Sequence, residues 1–284
     1  MPIDSGIVGA KTKPFVYEVT YRDLTNYSAA VLEDNPAYYE RKDGGPAVHP
    51  LFPVRISWQI VEKLETLWEI KFPVDLRDHL IHQAEYIEFF QPLRAGDKLK
   101  VQATLISLLP HKLGVKLAIR FDYSDYSQKM VLREYVSAVL TGVKCADDGR
   151  TIDTFPTTER FEINSDYQSL KIEISKLASY IYDGCNDIVN PIHTDPEYAR
   201  SFGLPGIILQ GTATLAMSVN AVIKKTPNFD LRKIDVVAGK FTGYVLPPDS
   251  LTVKFIKKDT DEYFFETLNS KNEYVIRGGY IKVK

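Results

Sequence analysis

Three polar residues of the kind used in acid–base chemistry lie close together in the second half of the chain. Asp187, Asn190 and His193 fall within seven residues of one another. Asn190 precedes Pro191, and the residue before a proline is pushed out of the helical region of backbone space. We therefore expect an irregular segment here, which can aim an imidazole and a carboxylate at one point, as general acid–base chemistry requires. Taken alone, such a pair is more often structural than catalytic, because a short motif needs its structural context.

The sequence that follows this segment is punctuated by glycines and then becomes apolar and rich in alanine. Gly211-Thr212-Ala213 is typical of the start of a buried helix, which we predict over residues 211–224. The first amide N–H groups of a helix have no internal partner and favour negative charge. This end of the helix is therefore a candidate site for stabilising a developing oxyanion.

The whole stretch from Tyr180 to Ala216 resembles the signature of the MaoC-like family, which comprises (R)-specific enoyl-thioester hydratases and 3-hydroxyacyl-thioester dehydratases. The matching residues are Asn190-Pro191-Ile192-His193-Thr194-Asp195, Ala199, Phe202-Gly203-Leu204-Pro205 and Gln210-Gly211. Two positions depart from the pattern. Ile188 and Val189 both stand between Asp187 and Asn190, where the family usually has one residue, and Gln210 stands where the family often has a histidine.

The resemblance implies reversible hydration of 2-enoyl-CoA, or of another enoyl thioester, to a (3R)-hydroxyacyl thioester. In that reaction His193 would act as base toward the water, Asp187 would exchange the proton at the α-carbon, and Asn190 would orient the loop or the water. The backbone N–H of Gly211 would hold the thioester oxygen. No cofactor is implied beyond the acyl-CoA or acyl-carrier thioester itself. Further substrate contacts are expected from residues on both sides of this centre: Gln210, Thr212, Tyr182, Phe52 and Trp58.

An internal repeat divides the chain into two similar halves. The segment from Phe89 to Val101 aligns without gaps on that from Phe241 to Val253, and Asn35-Pro36 echoes Asn190-Pro191. Each half reads as a helix followed by four to five strands, which by periodicity indicates an α+β protein. The resemblance adds a double hotdog, in which an antiparallel sheet wraps a long central helix twice. We assign residues 1–145 to an N-terminal hotdog and residues 146–284 to a C-terminal one.

The two halves differ where the chemistry is expected. The first half has Tyr38 at the position of His193, and a phenol with an ordinary pKa near 10 cannot replace imidazole as a base near neutral pH. We therefore predict one active site per chain, in the second half, with the first half supplying the other wall of an acyl tunnel. The candidate lining residues are aromatic, although each one singly is more often plain core: Phe52, Trp58, Phe89 and Phe90.

Composition sets broad limits on partners and location. The 284 residues carry a net charge of −2 with dispersed cations, which gives no reason to expect nucleic acid as a partner. The two cysteines form no disulfide framework and no His/Cys cluster has metal-ligand spacing, so we expect no metal. No apolar run approaches the ~20 residues of a membrane span. The N-terminus shows no secretory signal, and the default expectation is a cytoplasmic protein.

Two alternatives remain open from the sequence. A hotdog thioesterase would use a carboxylate on or near the central helix of one half, and the absence of Asp and Glu from residues 211–224 argues against it. A non-catalytic acyl-thioester-binding protein would keep the fold without the chemistry, and the extra residue between Asp187 and Asn190 favours it. In each case a homodimer of double hotdogs is compatible with the resemblance.

Overall fold

The computed structural model describes most of the chain. The described residues are 2–42, 45–63, 67–69, 79–159, 161, 163, 166–259 and 261–284.

Five α-helices are formed within these residues. They are α1 (Tyr21–Ala30), α2 (Pro53–Glu62), α3 (Ala178–Asn186), α4 (Pro196–Ser201) and α5 (Gly211–Lys225). Short 3₁₀ turns lie at Pro36–Tyr38 and Pro191–His193, directly after Asn35 and Asn190.

Thirteen strands accompany the helices in the described part of the chain. They are β1 (Pro2–Ile3), β2 (Phe15–Glu18), β3 (Leu80–Phe89), β4 (Lys98–His111), β5 (Gly114–Ser124), β6 (Met130–Thr141), β7 (Lys144–Cys145), β8 (Arg150–Thr151), β9 (Gln168–Ile174), β10 (Ile234–Phe241), β11 (Asp249–Lys257), β12 (Glu262–Leu268) and β13 (Tyr274–Val283).

One antiparallel sheet of eleven strands dominates the described residues, and its strand order repeats. The order is β2-β4-β5-β6-β3-β10-β13-β12-β11-β9, with β8 paired to β4. The five main strands of each half can be numbered in chain order. From the outer edge of the sheet to its centre, both halves then place them in the order first, third, fourth, fifth, second. The second strands, β3 and β10, pair at the centre, with Glu85 opposite Gly239. The predicted α+β class with a large antiparallel sheet is therefore confirmed.

The helix α5 lies in the core because its sequence has no charged side chain before its last turn. Every residue from Thr212 to Ile223 is buried, and its lysines occur only at the C-terminal end. Small residues let it approach the sheet: a Cβ atom added at Gly239 of β10 would lie 2.6 Å from Leu215 Cδ1. The long helix of the second half thus runs as predicted, one residue further.

Two cross-contacts show that α2 and α5 run in opposite directions. His49, just before α2, has its Nε2 atom 2.9 Å from Oδ1 of Asn220, in the C-terminal half of α5. At the other end of α2, a carboxylate oxygen of Glu62 accepts a hydrogen bond from the backbone N–H of Val189 at 3.1 Å. The loop before α2 thus contacts the C-terminal half of α5, and the loop before His193 contacts the C-terminal end of α2.

The sequence pattern also predicts helices over residues 21–32, 53–67 and 175–182, and the structure differs from these predictions at the ends of the elements. The helix α1 stops at Ala30 instead of Leu32, because Leu32 adopts a left-handed conformation with a φ of 59°. The helix α3 extends to Asn186, beyond the predicted Tyr182. The helix predicted over residues 53–67 is described from Pro53 to Glu62, and residues 64–66 lie outside the described part of the chain.

A pair of carboxyl groups lies buried beneath α2 in the first half. Glu85 on β3 and Glu134 on β6 are both inaccessible to solvent. Glu134 accepts hydrogen bonds from Ser57 Oγ at 2.6 Å and from the Tyr123 hydroxyl. Neither carboxylate oxygen of Glu85 has a donor among the described residues, although His82 Nε2 lies 3.3 Å from one of them. Burial raises the pKa of both carboxyl groups well above the ordinary value, and for Glu134 the neighbouring Glu85 raises it further. The raised pKa values favour the uncharged, protonated form of both carboxyl groups.

The raised pKa values predict that this pair destabilises the fold at alkaline pH. The unfolded chain releases these protons near pH 4.5, whereas the folded chain keeps them to a higher pH. The stability that the protonated pair gives the folded state is therefore fully present below pH 4.5 and is lost as the pH rises through the folded pKa. An amide stays neutral at both pH values, so we expect Glu85→Gln to raise the free energy of unfolding at pH 8 and to change it little at pH 4.5. Urea denaturation at both pH values measures the effect.

The matched control for that prediction is Glu88→Gln on the same strand, whose side chain is half-buried. We expect it to leave the stability at both pH values within about 0.5 kcal/mol of the wild type. If Glu85→Gln and Glu88→Gln changed the free energy of unfolding at pH 8 equally, the buried pair would not be the source of the change.

Candidate functional site

The imidazole of His193 is held by a backbone carbonyl that determines where its proton lies. His193 ends the 3₁₀ turn that Asn190 caps, with Asn190 Oδ1 accepting from the Ile192 N–H at 3.2 Å. The Nδ1 atom of His193 lies 2.8 Å from the carbonyl oxygen of Ile208. A carbonyl oxygen only accepts, so Nδ1 carries the hydrogen and Nε2 presents a lone pair. Burial lowers the pKa of His193 to about 4, against a smaller opposite effect of this hydrogen bond. The ring is therefore neutral near pH 7 and has the form of a general base.

Asp187 sits at the C-terminal end of α3 in a conformation that aims its side chain away from the core. Its φ is 51° and its ψ 37°, the left-handed region that ends the helix. The next residue, Ile188, is 3% exposed and takes the inward position. The side chain of Asp187 is 62% exposed, and its carboxylate pairs with Arg55 Nη2 at 2.7 Å. The extra residue before Asn190 thus places an isoleucine in the core and the carboxylate outside it.

Arg55 from the first half is the centre of a polar cluster that sequence reasoning missed. It lies on α2 with only 7% of its side chain exposed. Its guanidinium donates to the Tyr17 hydroxyl at 3.1 Å and to the carbonyl oxygen of Cys185 at 3.1 Å, and it pairs with Asp23 at 3.1 Å as well as with Asp187. In the sequence, Arg55 is the only cation within α2, and it stands between the apolar residues Val54 and Ile56. Only that interruption of the pattern signals its role.

A second carboxyl group, that of Asp183, lies one helical turn before Asp187. Asp183 is half-buried, and its Oδ2 atom has no donor among the described residues. Burial raises the pKa of Asp183, and repulsion from Asp187 adds to the shift. A carboxyl group with a raised pKa beside residues 187–193, here called the motif loop, is a candidate acid that sequence reasoning did not single out.

The start of α5 gathers three of the residues predicted to contact substrate. Gly211 is its first residue, and a Cβ atom there would lie 2.9 Å from the ring of Phe241, so only glycine fits. Thr212 Oγ1 accepts from the Tyr182 hydroxyl at 3.1 Å, and both side chains are buried. Gln210 donates from Nε2 to the carbonyl of Ser179 at 3.2 Å, while its Oε1 atom is buried without a donor in the described residues.

The structure therefore brings some of the predicted residues together and separates others. His193 is tied to Ile208, two residues before Gln210, and so belongs to the Gly211 end of α5. Asp187 is tied to the first half through Arg55, and no hydrogen bond joins it to His193, both residues being described. The assignment of these two residues as a pair stays a prediction.

The aromatic residues predicted to line a tunnel have different surroundings. Phe52 is fully buried and packs edge-on against Tyr27, with ring centroids 5.9 Å apart. Trp58 borders a cavity of about 30 Å³ between α2 and the sheet, together with Ser57, His82 and Glu85. Phe89 borders a different cleft, and Phe90 is 40% exposed.

Two negative findings apply to the described residues. No group of three or more histidine, cysteine, aspartate or glutamate side chains there is arranged to hold a metal ion. No described helix combines the length and the apolar character needed to cross a membrane.

The polar cluster around Arg55 predicts a large loss of stability on its removal. Arg55→Met leaves Asp23 buried without its cation, and breaking a buried pair from one side typically costs about 3–5 kcal/mol. We expect the double variant Arg55→Met/Asp23→Asn to recover at least half of that loss, because the uncompensated charge is removed. Urea unfolding of the two variants tests this, and equal instability of both would contradict the buried charge as the cause.

Comparisons with known proteins match each half of the chain to a different family model. Residues 164–277 match the profile described as "MaoC like domain", and residues 6–122 match "FAS1-like, dehydratase domain region". The chain is 22% identical over 212 residues to "Enoyl-CoA hydratase 2, peroxisomal" of Arabidopsis thaliana, covering 72% of this chain and 68% of that protein. It is 23% identical over 202 residues to "Peroxisomal multifunctional enzyme type 2" of Mus musculus, covering 71% of this chain but only 27% of that longer protein. These relatives are named peroxisomal, so the expected cytoplasmic location stays a prediction.

A solved structure shares the fold over nearly the full length. The MaoC-like dehydratase from Phytophthora capsici superposes with a TM-score of 0.82 at 17% identity, covering 98% of this chain and 96% of that one. The two profile matches occupy the two halves of the sheet, and the second includes the whole segment from Asp183 to Gly211. Residues 164–277 are thus a MaoC-like domain, and residues 6–122, which precede it, match a FAS1-like dehydratase region.

Proposed function

We propose that the protein hydrates 2-enoyl-CoA, or a related enoyl thioester, reversibly to the (3R)-hydroxyacyl thioester and is a hydro-lyase. The observation that carries the proposal is the neutral imidazole of His193, whose Nε2 lone pair is free of partners in the described residues and belongs to the Gly211 end of α5. The names of the hydratase relatives support the same reaction. No resident cofactor is part of the proposal, since the thioester itself acidifies the α-carbon.

The proposed reaction adds water across the double bond with balanced proton movements. His193 Nε2 takes a proton from water while the water oxygen bonds to the β-carbon. The electron pair of the double bond moves to the α-carbon and the thioester oxygen, which the N–H of Gly211 would stabilise; such preorganised donors are typically worth ~3 kcal/mol. The proton that His193 has taken passes through solvent to a nearby carboxylate and from it to the α-carbon, so both groups end the reaction in the forms in which they began.

We assign the acid role to Asp187, as the family motif implies, with Arg55 as the group that fixes its position. Asn190 would orient the loop, since its side chain already caps the turn that carries His193. Asp183 is the competing acid, because its pKa is raised and one of its oxygens lacks a donor. Gln210, Thr212 and Tyr182 would face the thioester end of the substrate.

We further propose that the repeated strand order represents two hotdog units, residues 1–145 and 146–284. In this interpretation α2 and α5 are the two central helices, and the first unit provides the acyl-binding wall. Trp58 is the better supported lining residue, because it borders a cavity, whereas Phe52 packs within the core.

The alternative of a hotdog thioesterase has little support, because α5 carries no carboxylate from Gly211 to Lys225. A non-catalytic acyl-thioester-binding protein is favoured by one observation, the exposure of the Asp187 side chain.

The proposal predicts loss of crotonyl-CoA hydration on removal of the base. A general base typically contributes 10²–10⁴-fold, so we expect His193→Ala to lower kcat/KM at least ~100-fold. The measurement follows the loss of enoyl absorbance, with Asp187→Asn and Asp183→Asn as separate arms. Of Asp187→Asn and Asp183→Asn, the variant with the larger loss of kcat/KM identifies the acid. The matched control is His111→Ala at the end of β4, remote from the motif.

Distinct outcomes separate the alternatives. Activity of His193→Ala within twofold of the wild type would reject the site. Tight crotonyl-CoA binding without turnover by the wild type would favour the non-catalytic alternative, and release of free CoA thiol would favour the thioesterase.

The lowered pKa of His193 predicts an acid-shifted pH profile. Because the ring stays unprotonated until about pH 4, we expect kcat/KM to be flat from pH 8 to about 5.5. Below about pH 4, kcat/KM should fall tenfold per pH unit. Circular dichroism checks that the protein remains folded at these pH values. An acid limb centred near 6.5, the ordinary histidine value, would contradict the buried and neutral ring.

A further inference from the structure

A cleft of about 310 Å³ lies in the described part of the molecule, outside the motif loop. Its apolar wall includes Val48, Leu93 and Leu231, and its cationic side includes Arg94, Arg232 and Lys284. Clefts that bind small organic molecules commonly measure about 300–1,000 Å³, so the volume suits such a ligand.

The position of the cleft separates it from the candidate active site. Val48 and Pro50 of the cleft flank His49, which contacts Asn220 near the C-terminal end of α5. The motif loop instead contacts Glu62, at the C-terminal end of α2. The ten residues of α2 span about 15 Å, so the two sites lie at opposite ends of the helix pair.

The cleft holds two guanidinium groups without a carboxylate partner. Arg94 and Arg232 are exposed, and neither side chain forms an ion pair with any described residue. The nearest carboxylates along the chain are occupied by backbone groups. Asp97 accepts from the backbone N–H of Arg94 at 2.7 Å, and Asp230 accepts from that of Arg232 at 3.0 Å. Lys284, by contrast, is already bound to Asp235 at 3.2 Å and to the carbonyl of Phe89 at 2.7 Å.

The chemistry of this lining selects an anion attached to an apolar group. The planar fork of arginine donates two parallel hydrogen bonds to phosphate oxygens. The adjacent proline and aliphatic surfaces suit a base or another flat organic moiety. The sequence repeat also pairs these segments with those of the motif half: Phe89–Arg94 aligns with Phe241–Leu246, and residues 45–49 echo residues 204–210. The half that lacks the motif histidine therefore retains a cleft in the corresponding place.

We propose that this cleft is a second binding site, for a small organic phosphate of the nucleoside phosphate class, in which Arg94 and Arg232 hold the phosphate. The site is independent of the proposed hydration chemistry, because it uses no residue of the motif loop.

The test measures binding of fluorescent N-methylanthraniloyl ADP to the full chain by anisotropy. We expect saturable binding by the wild type and an increase in Kd of at least tenfold in Arg94→Ala/Arg232→Ala, equivalent to about 1.4 kcal/mol. The matched control is Arg22→Ala/Arg150→Ala, which removes the same charge from two exposed positions elsewhere, and its Kd should stay within twofold of the wild type. Circular dichroism checks that both variants are folded.

Competition distinguishes an organic phosphate from the free anion. Unlabelled ADP should displace the probe at a concentration at least tenfold lower than inorganic phosphate. Equal competition by inorganic phosphate would overturn the nucleoside phosphate assignment. Absence of saturable binding by the wild type would overturn the site itself. Unchanged binding by Arg94→Ala/Arg232→Ala would also overturn it, because the probe would then bind elsewhere on the protein.

Discussion

The pairing of β3 with β10 is the constraint on which the rest of the structure depends. Five residue pairs, from Val236 opposite Glu88 to Lys240 opposite Ala84, join the two halves into one antiparallel sheet. Because both halves have the same strand order, this central pairing brings α2 and α5 side by side in opposite directions. The motif loop of the second half then meets the C-terminal end of α2, and the loop before α2 meets the C-terminal part of α5. Each site is consequently built from both halves.

The shared construction explains why the first half contains so much buried charge. Arg55 joins Asp23 of its own half to Asp187 and the Cys185 carbonyl of the other, so that removing Arg55 leaves the buried Asp23 without its cation. The Glu85 and Glu134 carboxyl groups, beneath the same helix, form a second buried cluster with Ser57 and Tyr123. These polar groups are tolerated in the interior because hydrogen bonds replace water around Arg55 and Glu134 and because the raised pKa of the two carboxyl groups favours their uncharged form.

The two loop histidines show how similar halves acquire different roles. His49 uses both ring nitrogens in the structure: Nδ1 accepts from the Leu51 N–H at 3.1 Å, so Nε2 carries the hydrogen and donates to Asn220. His193 uses only Nδ1, and its Nε2 remains available. Tyr38, which stands at the position of His193 in the first half, is fully buried, and burial raises its pKa well above 10. The second half therefore presents an imidazole nitrogen without a hydrogen-bond partner in the described residues, whereas the first uses its polar residues for structure, with a cationic cleft beside them.

The sequence by itself determined the class of fold, the internal repeat, the start of α5 at Gly211 and the turn that carries His193. These features are local: hydrophobic periodicity, the restriction before Pro191 and the Asn190 cap act over a few residues. The tertiary structure decided the orientation of Asp187 and the partners of Arg55, because both depend on contacts between residues more than a hundred positions apart. It also decided which of the two loop histidines keeps a free nitrogen, since the amide of Asn220 reaches His49 only after the halves have packed together, whereas Ile208, which binds His193, lies in the same half as that histidine.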